Sequence, residues 1–214
     1  MLSSKRSKAA ELPNEILCEI FLIYQANRGH EHPRPAPWLC VSKVCRQWRE
    51  VVISIPDLWA DIEITNRYDP KFIELQAARA RPRPLNLVVY GNMLLREDKH
   101  TLALKNLAIS LIPRAKSLVL TKGMTSIVNS FVKLLNIPAP KLESFSVQSP
   151  NISFPKDLFA RQAPSLKQVD LYSPDFRLAY PLPLCFAGLT TLQMHVAEKM
   201  TGTLIHRVIQ MSAD

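Results

Sequence analysis

Four side chains of metal-ligating type crowd between positions 30 and 45: His30, His32, Cys40 and Cys45. A structural zinc ion would need such donors, but His-x-His followed by Cys-x4-Cys matches no usual closed site. The cysteines, Cys18, Cys40, Cys45 and Cys185, are few and scattered, mostly on apolar stripes, and reduced thiols are expected. Nucleophilic and phosphoryl chemistry find no support either. There is no G-x-S-x-G elbow, no glycine-rich phosphate loop and no H-E-x-x-H, and the whole chain has five glycines. His100 and His206 stand isolated in helical stretches, and Arg46 with Glu50, four residues apart, reads as an exposed ion pair. No catalytic residue, metal or cofactor is expected. The chain should act by binding and not as an enzyme.

The elements that would position a binding face start near the N-terminus. Pro13 suits the first turn of a helix, where its missing N–H costs nothing, and Glu15 lies where negative charge favours a helix start. Ile16, Leu17, Ile20, Phe21 and Tyr24 recur at helical spacing and make one apolar stripe. Val41, Val44, Cys45, Trp48, Val51, Val52 and Ile55 make a second, ended by Pro56. Between them Gln25 to Pro37 reads as a surface insertion, since Pro33, Pro35 and Pro37 forbid a continuous helix. Little core exists in a module this small to cover so many large side chains. Part of the apolar surface is expected to await a partner.

Leu12-Pro13-x-Glu15-Ile16-Leu17, Ile20-Phe21, Val41-x-x-x-Cys45-Arg46-x-Trp48 and Leu58-Trp59, in that order, resemble an F-box. The resemblance implies a helical plug that docks on a Skp-type adaptor and through it on a cullin, hence a substrate receptor for an unknown protein. It points to Leu12, Pro13, Ile16, Leu17, Ile20, Phe21, Trp48 and Trp59 as the adaptor-binding set, with Leu17, Phe21 and Trp59 the most apt to pack internally. The long insertion departs from the short connection of typical F-boxes and leaves contacts near Trp38 and Leu39 open. If Leu12, Ile16, Ile20 and Trp48 are covered on docking, the gross gain is about 6–12 kcal/mol. Association entropy and side-chain ordering offset several kcal/mol of it.

With 214 residues and 47% hydrophobic content the chain can hold a small module and one larger packed domain. No apolar run approaches the length of a membrane span, and nothing after the basic start resembles a secretory signal, so cytoplasm or nucleus is expected. The net charge of +9 is uneven. Residues 1–65 balance 8 basic against 8 acidic groups, whereas 66–122 hold 11 basic and 4 acidic, among them Arg79, Arg81 and Arg83. Such a field attracts nucleic acid or an acidic protein, the alternative to a ligase subunit. Nucleic acid is disfavoured because no aromatic-interleaved platform or zinc-finger spacing accompanies the charge.

After the first module an L-x-x-L-x-L pattern returns at Ala115-Leu118-Leu120, Leu142-Phe145-Val147, Leu166-Val169-Leu171 and Leu189-Leu192-Met194, with first positions 27, 24 and 23 residues apart. Fainter copies precede it at Leu85-Leu87 and Trp59-Ile62-Ile64. Helical stretches lie between, at Pro70 to Ala80, Asp98 to Leu111 and Thr125 to Leu135, the first capped by Asp69. This strand-then-helix unit resembles the leucine-rich repeat, and F-box followed by irregular repeats is a familiar order in fungal and other eukaryotic receptors. The usual Asn after the pattern is absent, so the turns must satisfy their backbone otherwise.

The expected architecture is α+β with solenoid character: a tail at 1–10, a helical F-box at 11–64, and a short, irregular leucine-rich-repeat-like α/β stack at 65–214 that could be incomplete. Residues between the leucines would face solvent and make the reading face. Gln148, Asp170, Tyr172, Gln193 and His195 are the substrate-binding candidates, beside Ser117, Val119, Thr121, Ser144, Ser146, Gln168 and Thr191. Leu204, Ile205, Val208 and Ile209 suggest a final helix, either the polar cap a solenoid needs or the point where the stack is cut short.

Overall fold

The computed structural model describes residues 12–27, 37–95, 98–121, 123–149, 152–172, 183–200 and 203–212, an α+β arrangement in which a helical N-terminal segment leads into a sheet. The proposed tail at 1–10, His30 and His32 lie outside the described residues. Helix α1 spans Asn14–Ala26 behind Pro13, which caps it without a side-chain hydrogen bond. Its start is held from a distance instead: the Gln47 amide donates to the Leu12 carbonyl at 2.9 Å and to Asn14 Oδ1 at 3.0 Å.

The single helix expected from Val41 to Ile55 is broken in two. A tight 3-10 turn occupies Pro37–Lys43, Cys45 is extended at φ −156°, and α2 covers Arg46–Ser54. The Ser42 hydroxyl donates to the Leu39 carbonyl at 2.7 Å, and Arg49 Nε donates to the Ser42 carbonyl at 3.1 Å. The second of these bonds takes the Ser42 carbonyl, which an uninterrupted helix would have used. Ile55 is extended, as the residue before Pro56 must tend to be, and Pro56–Trp59 forms another 3-10 turn.

Among the described residues seven strands then pair in sequence order: β1 Asp61–Ile64, β2 Leu85–Val89, β3 Ala115–Leu120, β4 Ser144–Val147, β5 Gln168–Tyr172, β6 Thr191–Met200 and β7 Thr203–Ser212. Neighbours from β1 to β6 are parallel, so each connection must return across the sheet. Helices α3 (Pro70–Arg79), α4 (Lys99–Leu111) and α5 (Thr125–Lys133) make the first three returns. Asp69 accepts from the Lys71 N–H at 2.8 Å and Asp98 from the Thr101 N–H at 2.7 Å, each capping its helix. Among the described residues the later returns carry short 3-10 turns, at Leu158–Arg161 and Leu184–Phe186.

The leucine pattern becomes rows in register. Ile62, Leu87, Leu118, Phe145, Val169 and Leu192 lie side by side, and two residues on so do Ile64, Val89, Leu120, Val147, Leu171 and Met194. From β1 to β5 every member is buried. Phe145 is central, with Phe159 edge-on at 5.2 Å and Phe154 at 6.2 Å. One apolar core runs from Leu17 and Phe21 through Trp59 into these rows, so the boundary expected after residue 64 coincides with the end of β1 and with no gap in packing.

Without the Asn, the turns after the strands use other groups. The Gly91 N–H donates to Thr121 Oγ1 at 3.3 Å, and the Ser149 hydroxyl donates to the Gly123 carbonyl at 3.4 Å. Gly91 and Gly123 stack backbone on backbone, and a Cβ on Gly123 would lie 2.7 Å from Gly91. The final helix expected around Leu204 to Ile209 is instead β7, antiparallel to β6 from Thr203↔Met200 to Ser212↔Thr191. The open edge of β6 offers a full row of backbone partners, and a β-branched segment takes them.

Candidate functional site

The stripe that the sequence presents as one is divided by the fold into two faces of α1. Leu17 and Phe21 are fully buried, Phe21 meeting the Trp48 ring edge-on at 5.2 Å. Ile16 and Ile20 point the other way and are 43% and 42% exposed, and Ile23 and Tyr24 extend that outer stripe. Leu22 on α1, and Val44 just before α2, are exposed as well. Ile23 and Val44 escaped the sequence-derived set, although Ile16, Ile20 and Ile23 at i, i+4 and i+7 carry the signal. Next to the stripe stand exposed Pro13 and half-buried Leu12 and Trp48.

Three of the expected adaptor-binding residues, the ones held most apt to pack internally, are buried. Leu17 and Phe21 pack inward, and Trp59 is 1% exposed. Trp59 donates its indole N–H to the Val52 carbonyl at 2.9 Å and carries the Arg79 guanidinium 4.4 Å above its ring. These three pack inside the module. Leu12, Pro13, Ile16, Ile20 and Trp48 remain at the surface or partly so. Burying the outer stripe of α1 against another protein is what its chemistry allows, since single exposed apolar side chains are ordinary but a contiguous helical stripe of them is not.

Residues 9–65 match the F-box-like family model. The F-box-like segment is about the first quarter of the chain and ends with β1, so its last strand is also the first strand of the sheet. Searches of curated proteins and of solved structures give no match. Inside the F-box-like segment Gln25, unforeseen in the sequence, is buried and donates to Asp61 Oδ2 at 2.6 Å. Asp61 Oδ1 in turn accepts from Asn86 of β2 at 2.7 Å, which ties α1 to the first two strands. Burial, and then Glu15, push the Cys18 thiol up.

The second candidate surface is the solvent side of the sheet. Residues between the leucines align in rows, with Ser146, Asp170 and Gln193 in one and Tyr172 beside His195 in the next. Gln148, just past β4, donates its N–H to the Leu120 carbonyl at 2.8 Å. All five substrate-binding candidates are thus on or beside three adjacent strands, and all are half-buried. Tyr172 and His195 stack at 4.4 Å with planes 8° apart, and His195 Nε2 lies 2.9 Å from Asp170 Oδ1. That approach is not aligned as a hydrogen bond, and it becomes an ion pair when His195 is protonated.

Several of the basic residues at 66–122 are engaged within the fold. Arg79 covers Trp59, Arg83 pairs with Asp57 at 3.0 Å, and Arg114 donates to the Ala77 carbonyl at 2.8 Å. Burial, and then the Arg81 charge, push the Arg114 guanidinium down. Of these contacts only the Arg83–Asp57 pair neutralises a charge, so the basic surplus of 66–122 persists. No helix among the described residues is long and apolar enough to cross a membrane.

Proposed function

We propose that the chain is the substrate-receptor subunit of an SCF-type ubiquitin ligase. Its F-box-like segment docks on a Skp-type adaptor, and through that adaptor on a cullin, in cytoplasm or nucleus. The sheet domain, a short and irregular leucine-rich-repeat-like stack, holds a protein substrate. The observation that carries the reading is the apolar outer stripe of α1, Ile16, Ile20 and Ile23, left uncovered within the segment that matches the F-box-like family. Sequential parallel strands, each contributing one residue to each of two hydrophobic rows, support the repeat character. Ubiquitin transfer would then belong to other subunits, the receptor contributing by holding substrate near the charged carrier.

Mixing the full chain with a purified Skp-type adaptor, and measuring mass by light scattering after size exclusion, tests the reading. A one-to-one complex is expected for the wild type and none for the Leu12→Ala, Pro13→Ala double variant with an unchanged circular dichroism spectrum. A folded wild type that captures no adaptor overturns it.

A further inference from the structure

A cavity of about 490 Å³ opens where the chain enters β4, β5 and β6. Its volume lies in the range that holds a small ligand or one or two residues of a peptide. One side of the wall is apolar, with Pro140, Pro164, Leu166 and Leu184, the rest includes Gln162, and a lone formal charge comes from Arg161. Cys185 adds to the apolar side, because burial pushes its thiol up to about 11 and keeps it neutral. No lining residue is acidic, and the described residues give Arg161 no carboxylate partner.

Arg161 is also held there at a conformational cost. Phe159, Ala160 and Arg161 have φ of 52°, 50° and 60°, a left-handed run that side chains with a Cβ resist. The run is pinned on both sides. The Phe159 N–H donates to the Leu135 carbonyl at 2.7 Å, and the Gln162 carbonyl accepts from the Ala139 N–H at 2.9 Å. It drives the Phe159 ring into the core and leaves Arg161 exposed at the cavity. Backbone held in such regions concentrates at ligand clamps.

We infer that this cavity binds a polypeptide C-terminus, with the last apolar side chain against Pro140, Pro164 and Leu166 and the terminal carboxylate on Arg161. A chain end fits because its side chain and carboxylate leave the same carbon, so one residue meets both the apolar wall and the guanidinium. An internal Asp or Glu would need a second residue to fill the wall. Arginine's planar fork suits a carboxylate in two-point contact. Under the receptor reading the cavity anchors a substrate's terminus. Binding there needs no adaptor, so its failure is separate from a failure of adaptor capture.

The test titrates the full chain, by ligand-observed NMR, with N-acetyl-leucine, its amide, and acetyl-aspartyl-leucinamide. N-acetyl-leucine is expected to bind at least tenfold more tightly than either of the others. Arg161→Gln, a change at an exposed side chain, should abolish that preference. Gly188→Phe should abolish binding by filling the cavity, and it should fold, since a Cβ at Gly188 meets nothing within 4 Å. Overturning results are an amide that binds as well as the acid, a preference for the aspartyl probe, no binding by any probe, or binding that survives Gly188→Phe in a protein with native circular dichroism.

Discussion

Helix α1 and the parallel sheet use similar side chains to opposite ends. In the sheet, rows such as Leu87, Leu118, Phe145 and Val169 are buried without exception from β1 to β5, and the outward rows are mostly polar, Val88 and Val119 apart. In α1 the buried pair Leu17 and Phe21 is matched by an exposed set led by Ile16, Ile20 and Ile23. A parallel sheet hides one face under its own crossovers, so its apolar residues report on folding. A helix apolar on two faces has one face more than this fold can cover. The difference separates what stabilises the chain from what it offers to a partner.

The widest separation should come from paired substitutions. Phe145→Ala removes a ring at the centre of the core and should cost about 3–5 kcal/mol in urea unfolding. Ile20→Ala should change unfolding by no more than about 0.5 kcal/mol. Its effect should appear in adaptor affinity, where the loss of about 1.5–3 kcal/mol of burial weakens capture tenfold or more. An Ile20→Ala protein as destabilised as Phe145→Ala would place α1's outer stripe inside the fold and erase the comparison.

Much of this division was legible in the residues. Asp69-Pro70 marks the start of α3 because capping and proline preference are local, and α5 begins at Thr125 as its spacing indicates. The L-x-x-L-x-L rows were readable because a period of two has one solution once strands are parallel. What failed depends on distant partners. Leu204, Ile205, Val208 and Ile209 satisfy helical spacing, yet the free edge of β6 decides for a strand. Leu17 and Ile16 are chemically alike, and it is the resemblance to the F-box, not their spacing, that marks Leu17 as the more apt to pack inward, where α2 and the 3-10 turns cover it. The cavity beside Arg161 is assembled from three loops spread from Pro140 to Gly188, and no local signal announces it.

A smaller effect sharpens the sheet side. Gly123→Ala puts a Cβ 2.7 Å from the Gly91 backbone, which has no flexible end to yield, and should cost about 1–3 kcal/mol. Gly188→Ala, with open space around its Cβ, should leave the urea midpoint unchanged. Equal midpoints for the two variants would mean that successive turns are not stacked, and that the sheet is held by its hydrophobic rows alone.

The last contrast is at helix starts. Asp69→Ala removes the acceptor for the Lys71 N–H and should cost about 1 kcal/mol, read as a shift of the urea midpoint at constant slope. Helix α1 has no such cap of its own, and its first turn depends on Gln47 reaching across from α2 to Leu12 and Asn14. Gln47→Ala should therefore loosen Leu12 and Pro13, the start of the proposed docking face, more than it lowers global stability. Amide exchange should speed up in the first turn of α1 while the sheet stays protected. Uniform acceleration in both regions would show that α1 opens only with the whole fold, and that its docking face is as rigid as the core it leans on.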